Sequence, residues 1–175
     1  MSGPGARKTV GPVVSSAHLA ASALPELSEV EFAVTMMNHA YQRWITRCAD
    51  AAGAPGMAPM EVLVLHMTLH RDRPKTLADL CLMLNVEDTH LVNYAIRKLK
   101  EHGLIETGRK GKEKTVAITE AGAALCRRYR EVREALLIET AAAIGVDPEE
   151  MSRLAALMRA LSGSYDQAAR AAAAF

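Results

Sequence analysis

The sequence predicts a mainly α-helical protein that contains one small β-hairpin. Half of its 175 residues are hydrophobic and only 4 % are aromatic. The apolar content is therefore mostly Ala, Leu, Met and Val, of which the first three favour helices. Most apolar residues recur at helical spacing, whereas one short glycine-containing stretch near residue 110 is flanked by β-prone runs. Together these observations predict either one domain of moderate size or one small domain with helical extensions.

The N-terminal part is predicted to be an arm followed by a long helix. Residues 1–27 contain Gly, Pro and Ser that interrupt every apolar run, so we expect an extended or disordered, flexible arm rather than a signal peptide. No run reaches the roughly 18 apolar residues that a membrane span needs. Ser28 precedes apolar residues at helical spacing over 29–50, which predicts an amphipathic helix that Gly53 and Pro55 end.

The central part is predicted to contain three helices. The first, over 59–71, is apolar nearly all round and is therefore expected to be buried. Thr76 can cap a short helix over 77–84. After a turn, a further helix is expected over about 87–101, and Gly103 follows its last turn in the usual closing position.

The period of the pattern changes after these helices. Two β-prone runs, 104–107 and 115–118, flank the basic connection 108–114, which predicts a β-hairpin with a charged tip. Two more helices follow, one over about 120–144 and one that begins at the Asp-Pro pair 147–148, where Asp is the cap and Pro takes the first helical position.

Basic residues outnumber acidic ones in the middle of the chain, although the net charge of the whole chain is only +1. Residues 69–119 contain ten Lys/Arg and seven Asp/Glu, and within them residues 97–114 contain seven basic and three acidic residues. A local basic patch on a nearly neutral protein is what an anion-binding surface requires. A merely solvated charged face is the alternative.

The order of helix, tight turn, helix and basic hairpin is typical of the winged helix-turn-helix. An α-helix fits the major groove of DNA, and a hairpin beside it can place a basic tip on phosphates or in the minor groove. The predicted fold class is therefore mainly α with a small β-hairpin wing.

The helix over 87–101 has two distinct faces. Its apolar stripe consists of Val92, Ala95, Ile96 and Leu99. Its polar face carries the candidate DNA contacts Thr89, His90, Asn93, Tyr94, Arg97 and Lys98. Asn can pair with adenine and Arg can bind guanine through two hydrogen bonds, so this face suits base recognition. An ordinary solvated face would more often carry Glu/Lys pairs.

A second candidate contact lies at the start of the short helix before it. Lys75 precedes Thr76, and the free backbone N–H groups of a helix start attract phosphate. The sequence therefore predicts a phosphate contact at Lys75 and Thr76. The alternative is that Thr76 only caps the helix, and both roles are compatible.

Three runs, in order, resemble the multiple-antibiotic-resistance-regulator (MarR) family. They are TLADL at 76–80, LVNYAIRKLKEHGLI at 91–105 and VAITEAG at 116–122. The resemblance covers residues 29 to about 162. One feature departs from the family: its wing often carries an Asp-x-Arg pair, whereas no Asp is present in the tip here, so the residue that enters the minor groove is open.

The resemblance implies a homodimer in which the first, fifth and sixth helices interleave, and a pseudo-palindromic DNA operator. It also implies a repressor that a small ligand or an oxidant releases. It places four basic residues in the wing: Arg109, Lys110, Lys112 and Lys114. The predicted parts are an arm (1–27), an N-terminal dimerisation helix (28–56), the DNA-binding lobe (57–119) and C-terminal dimerisation helices (120–175). Apolar stripes that a small core cannot bury independently favour a dimer.

Two further groups of residues are candidates for effector binding or redox sensing. A pocket for an apolar or aromatic effector is one interpretation of Met37, Trp44, Met60, His66 and Met67, with adaptable core filling as the alternative. Cys48, Cys81 and Cys126 are widely spaced and odd in number, which predicts free thiols in a reducing compartment. Adjacent arginines would allow some thiolate character at Cys48 and Cys126, but inert cysteines are the favoured interpretation, and Cys81 is expected in the core.

The sequence contains no motif typical of catalysis. It has no glycine-rich phosphate loop, no HExxH and no GxSxG, so we predict neither an enzyme nor a cofactor. His66 and His70 have metal-ligand spacing but no obvious third ligand, so no metal is expected. The prediction is a cytoplasmic, dimeric, sequence-specific transcription regulator. The alternatives are a winged-helix module that binds protein, or a thiol-based redox sensor.

Overall fold

The computed structural model describes residues 11–175 and confirms the predicted mainly α-helical class. The helices are α1 (Ala17–Ala20), α2 (Pro25–Ala51), α3 (Pro59–Leu69), α4 (Leu77–Leu84), α5 (Thr89–Glu101), α6 (Glu120–Arg133), α7 (Glu139–Ala142) and α8 (Pro148–Ala172). The strands are β1 (Lys75–Thr76), β2 (Ile105–Lys110) and β3 (Glu113–Ile118). The chain forms two compact units, one up to Arg130 and one from Glu131 to Phe175.

The predicted hairpin forms, and it belongs to an antiparallel sheet with the strand order β1–β3–β2. Strand β2 pairs with β3 from Ile105 opposite Ile118 to Lys110 opposite Glu113, and Gly111 makes the turn with a φ of +62°. The sequence did not predict β1, because two residues are too few to show a period of two. This strand pairs with Thr115 and Val116 of β3 and so joins the start of α4 to the wing.

The core of the first unit is built around α3 and α5. Val62 and Val64 of α3 are almost completely buried, as predicted for this helix. Three residues of the expected stripe of α5 are confirmed, since Val92, Ala95 and Leu99 are at most 1 % exposed, whereas Ile96 is only partly buried. With one face of α5 buried, its polar face is directed to solvent, and this arrangement determines which side chains can meet a ligand.

Several helix ends differ from the prediction by a few residues. α2 begins at Pro25 rather than at 29, since Pro is favourable in the first helical position. Ser28 lies inside this helix and its hydroxyl donates to the carbonyl of Leu19 at 2.7 Å, so it is not the cap. α5 begins at Thr89 because the Asp88 carboxylate accepts the His90 N–H at 2.9 Å.

The predicted helix over 59–71 ends early. α3 stops at Leu69 and a short 3₁₀ turn spans His70–Asp72. Arg71 within this turn has a φ of +59°, which is the left-handed region and cannot continue an α-helix. The predicted helix over 120–144 is also interrupted, since a turn of π-helix spans Glu134–Ile138 between α6 and α7.

In the second unit, α8 starts as predicted. Asp147 caps it by accepting the N–H groups of Glu149 and Glu150 at 2.6 and 3.0 Å, and Pro148 takes the first position. None of the α8 side chains is buried, and Leu154 and Leu157 remain about half exposed. Among the described residues, no helix combines the length and apolar character that crossing a membrane requires.

Gly122 lies at a tight contact between α6 and the base of the hairpin, and replacing it tests this packing. A Cβ there would lie 2.1 Å from the carbonyl oxygen of Leu104 and 2.9 Å from Ile118 Cγ1. Backbone must therefore move, and we expect Gly122→Ala to lower the free energy of unfolding by about 1–3 kcal/mol in denaturant titration.

Gly163→Ala in α8 is the matched control, because its Cβ would meet no atom within 4 Å. Alanine favours a helix interior, so we expect this variant to gain about 0.5–1 kcal/mol. Equal stability of the two variants would contradict the packing described for Gly122.

Candidate nucleic-acid interface

The polar face of α5 presents most of its predicted contacts to solvent. Its exposed side chains are Thr89, His90, Asn93, Tyr94 and Arg97, with Lys98 about half buried. The Arg97 guanidinium lies over the Tyr94 ring at 4.9 Å and within 3.8 Å of the Glu101 carboxylate. The Arg97 side chain is nevertheless 64 % exposed, so these weak contacts orient it without covering it.

A groove of about 510 Å³ separates α5 from the wing. Its lining consists of Asn93, Ile96, Arg97, Lys100, Thr107, Gly108, Arg109 and Lys114. Four of these side chains are cations and none is an anion. Lys100 was not among the predicted contacts, since the side of α5 that faces the wing is known only once the hairpin is placed.

The register of the hairpin gives the wing two chemically different faces. Side chains directly opposite each other in an antiparallel pair share a face. Arg109 is opposite Lys114, and this face lines the groove beside α5. Lys110 is opposite Glu113, and this second face lines a separate cleft of about 580 Å³.

The second cleft combines the wing with the segment before α4. Its lining consists of Arg73, Pro74, Thr76, Asp79, Arg109, Lys110, Glu113 and Thr115. It therefore contains three cations and two carboxylates. Lys112, at the tip of the wing, is exposed and is not part of either lining.

Lys75 does not occupy the surface position that the sequence analysis gave it. Its side chain is 0 % exposed, and its ammonium donates to the carbonyl oxygens of His70 and Arg73 at 2.6 and 2.5 Å. A buried ammonium requires such partners because desolvation is costly. This placement contradicts the prediction that Lys75 contacts a phosphate, and assigns it to holding the 70–73 turn.

Thr76 is the cap of α4, as one reading of the sequence proposed. Its hydroxyl accepts the Asp79 N–H at 3.0 Å, and its own N–H donates to the Asp79 carboxylate at 2.9 Å. Hydrogen bonds from Thr76 lower the pKa of Asp79, with Arg73 and Lys75 contributing by charge. The carboxylate is thus held ionised beside the helix start, so Thr76 is a weaker phosphate contact than predicted.

Comparison with known proteins supports a winged helix fold for the central part of the chain. The family model for a winged helix DNA-binding domain matches residues 57–122. This segment therefore has the winged helix fold. It comprises α3, α4, α5 and the hairpin, together with the first residues of α6. No curated protein matches the sequence.

Solved structures extend the similarity beyond the winged helix domain. A MarR-family regulator from Rhodococcus sp. RHA1 aligns with a TM-score of 0.62 at 13 % identity, covering 76 % of this chain and 91 % of that one. CouR from Rhodococcus jostii RHA1, bound to p-coumaroyl-CoA, gives 0.61 at 12 %, with 75 % and 90 % covered. A MarR regulator from Methanosarcina mazei Go1 gives 0.62 at 18 %, with 78 % and 96 % covered. The chain therefore has the fold of MarR transcription regulators.

All three cysteines of the chain are buried, and none of them forms a disulfide. Cys81 is in the core as expected, and Cys48 is only 1 % exposed. Burial raises the pKa of Cys126 to about 11, against a smaller opposing effect of Arg127. This agrees with the interpretation of Cys126 as an inert thiol and disfavours the alternative of thiolate character. Arg128 is engaged elsewhere, since its Nε donates to the carbonyl of Ala52 at 2.7 Å.

The residues named for an effector pocket are only partly buried. Met37 is 60 % exposed on α2, whereas Trp44, Met60, His66 and Met67 are about half buried. The two clefts described above are lined by other residues, so an effector pocket stays a prediction. Within residues 11–175, no group of three or more His, Cys, Asp or Glu side chains is arranged to hold a metal.

His66 packs its ring edge-on against Tyr129 with the centroids 4.6 Å apart, and burial lowers its pKa below 6.5. The folded state therefore disfavours the protonated ring, and its stability is complete above the unfolded pKa and falls as the pH drops below 6.5. We expect His66→Phe to show a smaller loss of melting temperature than the parent between pH 7.5 and pH 5. His39→Gln, at an exposed position, should keep the parent's profile.

Thiol reactivity provides a further check on the winged helix domain and α6. With a pKa of about 11, roughly one Cys126 in a thousand is ionised at pH 8, and only the thiolate reacts. We expect iodoacetamide to label all three cysteines slowly in the native protein and quickly in guanidinium, as mass spectrometry would show. Rapid native labelling of Cys126 would contradict its burial.

Proposed function

We propose that this chain is a sequence-specific DNA-binding transcription regulator of the MarR type. The observation that carries the proposal is the anion-free groove between α5 and the wing, where Arg97, Lys100, Arg109 and Lys114 converge. Four cations in one groove provide the electrostatic attraction that a polyanion requires. The winged helix domain and the fold of transcription regulators agree with this interpretation.

In the proposed complex, α5 lies in the major groove and the wing lies over the neighbouring backbone. Asn93 and Arg97 are exposed on the polar face of α5, and their side chains are the types that bind base edges, so they are the residues proposed to do so. Lys100 and Lys114 line the same groove and are proposed to contact phosphates. Base contacts provide sequence preference and phosphate contacts provide most of the affinity.

We infer that the active form is a homodimer bound to a pseudo-palindromic operator. Val34, Met37 and Tyr41 recur at helical spacing on α2 and are each more than 40 % exposed. Within the second unit, Met151 and Leu154 begin a similar exposed stripe on α8. Such apolar surface is costly in water unless a partner covers it, and a twofold partner would place a second α5 about one helical turn away.

We propose that the protein acts as a repressor and that a small ligand releases it from its DNA operator. Its proposed location is the cytoplasm. CouR, which shares the fold, is known in a complex with p-coumaroyl-CoA. An apolar or aromatic effector is proposed for the present chain, with Met37, Trp44, Met60, His66 and Met67 as its candidate contacts. The buried thiols disfavour the alternative of oxidant sensing, and the basic groove disfavours a module that binds only protein.

Replacing Arg97 tests the DNA-binding proposal. We expect Arg97→Ala to weaken binding of an operator duplex about tenfold or more, since one specific arginine contact is worth about 1–3 kcal/mol. Fluorescence anisotropy measures this directly. The matched control is Arg47→Ala, because Arg47 is 83 % exposed on α2 and makes only an ion pair with Asp50.

The salt dependence of the same titration separates DNA binding from a protein-binding module. Each phosphate contact should contribute about −0.9 to the slope of log affinity against log salt. A slope near zero, or equal affinities for Arg97→Ala and the parent, would contradict the proposed interface.

A further inference from the structure

The cleft on the second face of the wing is not part of the groove on which the proposed function rests, although Arg109 lines both. It lies on the side of the hairpin that carries Lys110 and Glu113, away from the face that lines the groove beside α5. Its basic residues are Arg73, Arg109 and Lys110, and Arg109 also lines the groove beside α5. The hairpin thus has cations on both of its faces.

Arg73 is held in this cleft by the buried Lys75. The Lys75 ammonium donates to the Arg73 carbonyl and to the His70 carbonyl, so it fixes the backbone on both sides of the turn. Next along the chain, Pro74 restricts the backbone, and Lys75 itself pairs with Val116 of β3. The backbone of Arg73 is therefore fixed relative to the wing, while its side chain is exposed.

Two carboxylates also line the cleft and determine how strongly it attracts an anion. Asp79 is engaged by the Thr76 N–H and lies close enough to Arg73 for the two charges to interact. Glu113 is exposed and is paired across the strands with Lys110. The cleft keeps an excess of one positive charge, and neutralising Glu113 should raise that excess.

We propose that this cleft seats a DNA backbone phosphate, with Arg73 and Lys110 as its contacts and Lys75 as the residue that positions Arg73. The inference rests on the proposed function. A minor groove is bordered by two sugar-phosphate backbones, and a wing with cations on both faces matches a groove with anions on both sides. The Lys100 and Lys114 side would meet one backbone, and the Arg73 side would meet the other.

The test is a salt titration by fluorescence anisotropy with a labelled duplex of about three helical turns. For each protomer that contacts the duplex, Arg73→Gln should lower the magnitude of the salt slope by about 0.9 and the affinity roughly fivefold at physiological salt. Arg47→Gln is the matched control, since it removes an exposed arginine outside the winged helix domain. Glu113→Gln should act in the opposite direction and tighten binding, whereas Glu26→Gln on α2 should not.

The outcomes distinguish this inference from the function on which it rests. If the parent protein does not bind the duplex, the proposed function fails and the inference fails with it. If Arg97→Ala weakens binding but Arg73→Gln matches Arg47→Gln in slope and affinity, DNA binding stands and the phosphate seat is overturned. If Arg73→Gln weakens binding and Glu113→Gln tightens it, the proposed function and the phosphate seat are both supported.

A double-variant comparison tests the positioning role of Lys75. If Lys75 acts through Arg73, Lys75→Met should lower the salt slope as much as Arg73→Gln does, and the double variant should lower it no further. A purely structural role would lower the melting temperature of Lys75→Met and leave its salt slope unchanged. Because Arg73 is a surface residue, Arg73→Gln tests the seat even if Lys75→Met does not fold.

Discussion

The packing of α5 on α3 is the contact on which the rest of the interface depends. Val92, Ala95 and Leu99 are buried along one side of α5, and Val62 and Val64 are buried on α3. Since a helix has a fixed period, burying that stripe directs Asn93 and Arg97 outward. The energy of apolar burial therefore determines which polar side chains are available to a ligand, although none of the buried residues would touch it.

The small sheet fixes the position of the wing relative to the helices. Strand β1 is only two residues long, yet it joins the start of α4 to β3. Gly122 lets α6 pack closely against the carbonyl of Leu104, just before β2, and against Ile118 at the end of β3, so both strands of the hairpin are supported at its base. A wing anchored in this way can present cations at fixed positions, which reduces the entropy lost when it binds.

Much of the fold could be predicted from the sequence, because helix caps, apolar stripes and hairpin turns depend on residues that are close together in the chain. The stripe of α5, the Thr76 cap, the hairpin around Gly111 and the Asp147 cap each depend on neighbouring residues, and each is present in the structure. The start of α2 was misplaced because Ser28 resembles a cap. Its hydroxyl instead donates a hydrogen bond to the Leu19 carbonyl, and no local sequence pattern indicates that contact.

The site was less predictable, because its residues meet through tertiary contacts. Lys75 looks like a surface cation in the sequence, and its burial depends on the left-handed turn at Arg71 and on carbonyls that this turn directs inward. Arg73 looks like a solvated loop residue, and only the pairing of β1 brings it beside Lys110. Lys100 likewise gains its role from the position of the hairpin.

The most direct test of sequence-specific DNA binding is to select random genomic fragments with the purified protein at near-physiological salt and to sequence the bound fraction. The account predicts a shared inverted repeat whose half-sites are separated by about one helical turn, because two α5 helices related by a twofold axis would occupy successive major grooves. A bound fraction with no enriched sequence, or with the same enrichment for Arg97→Ala, would contradict it.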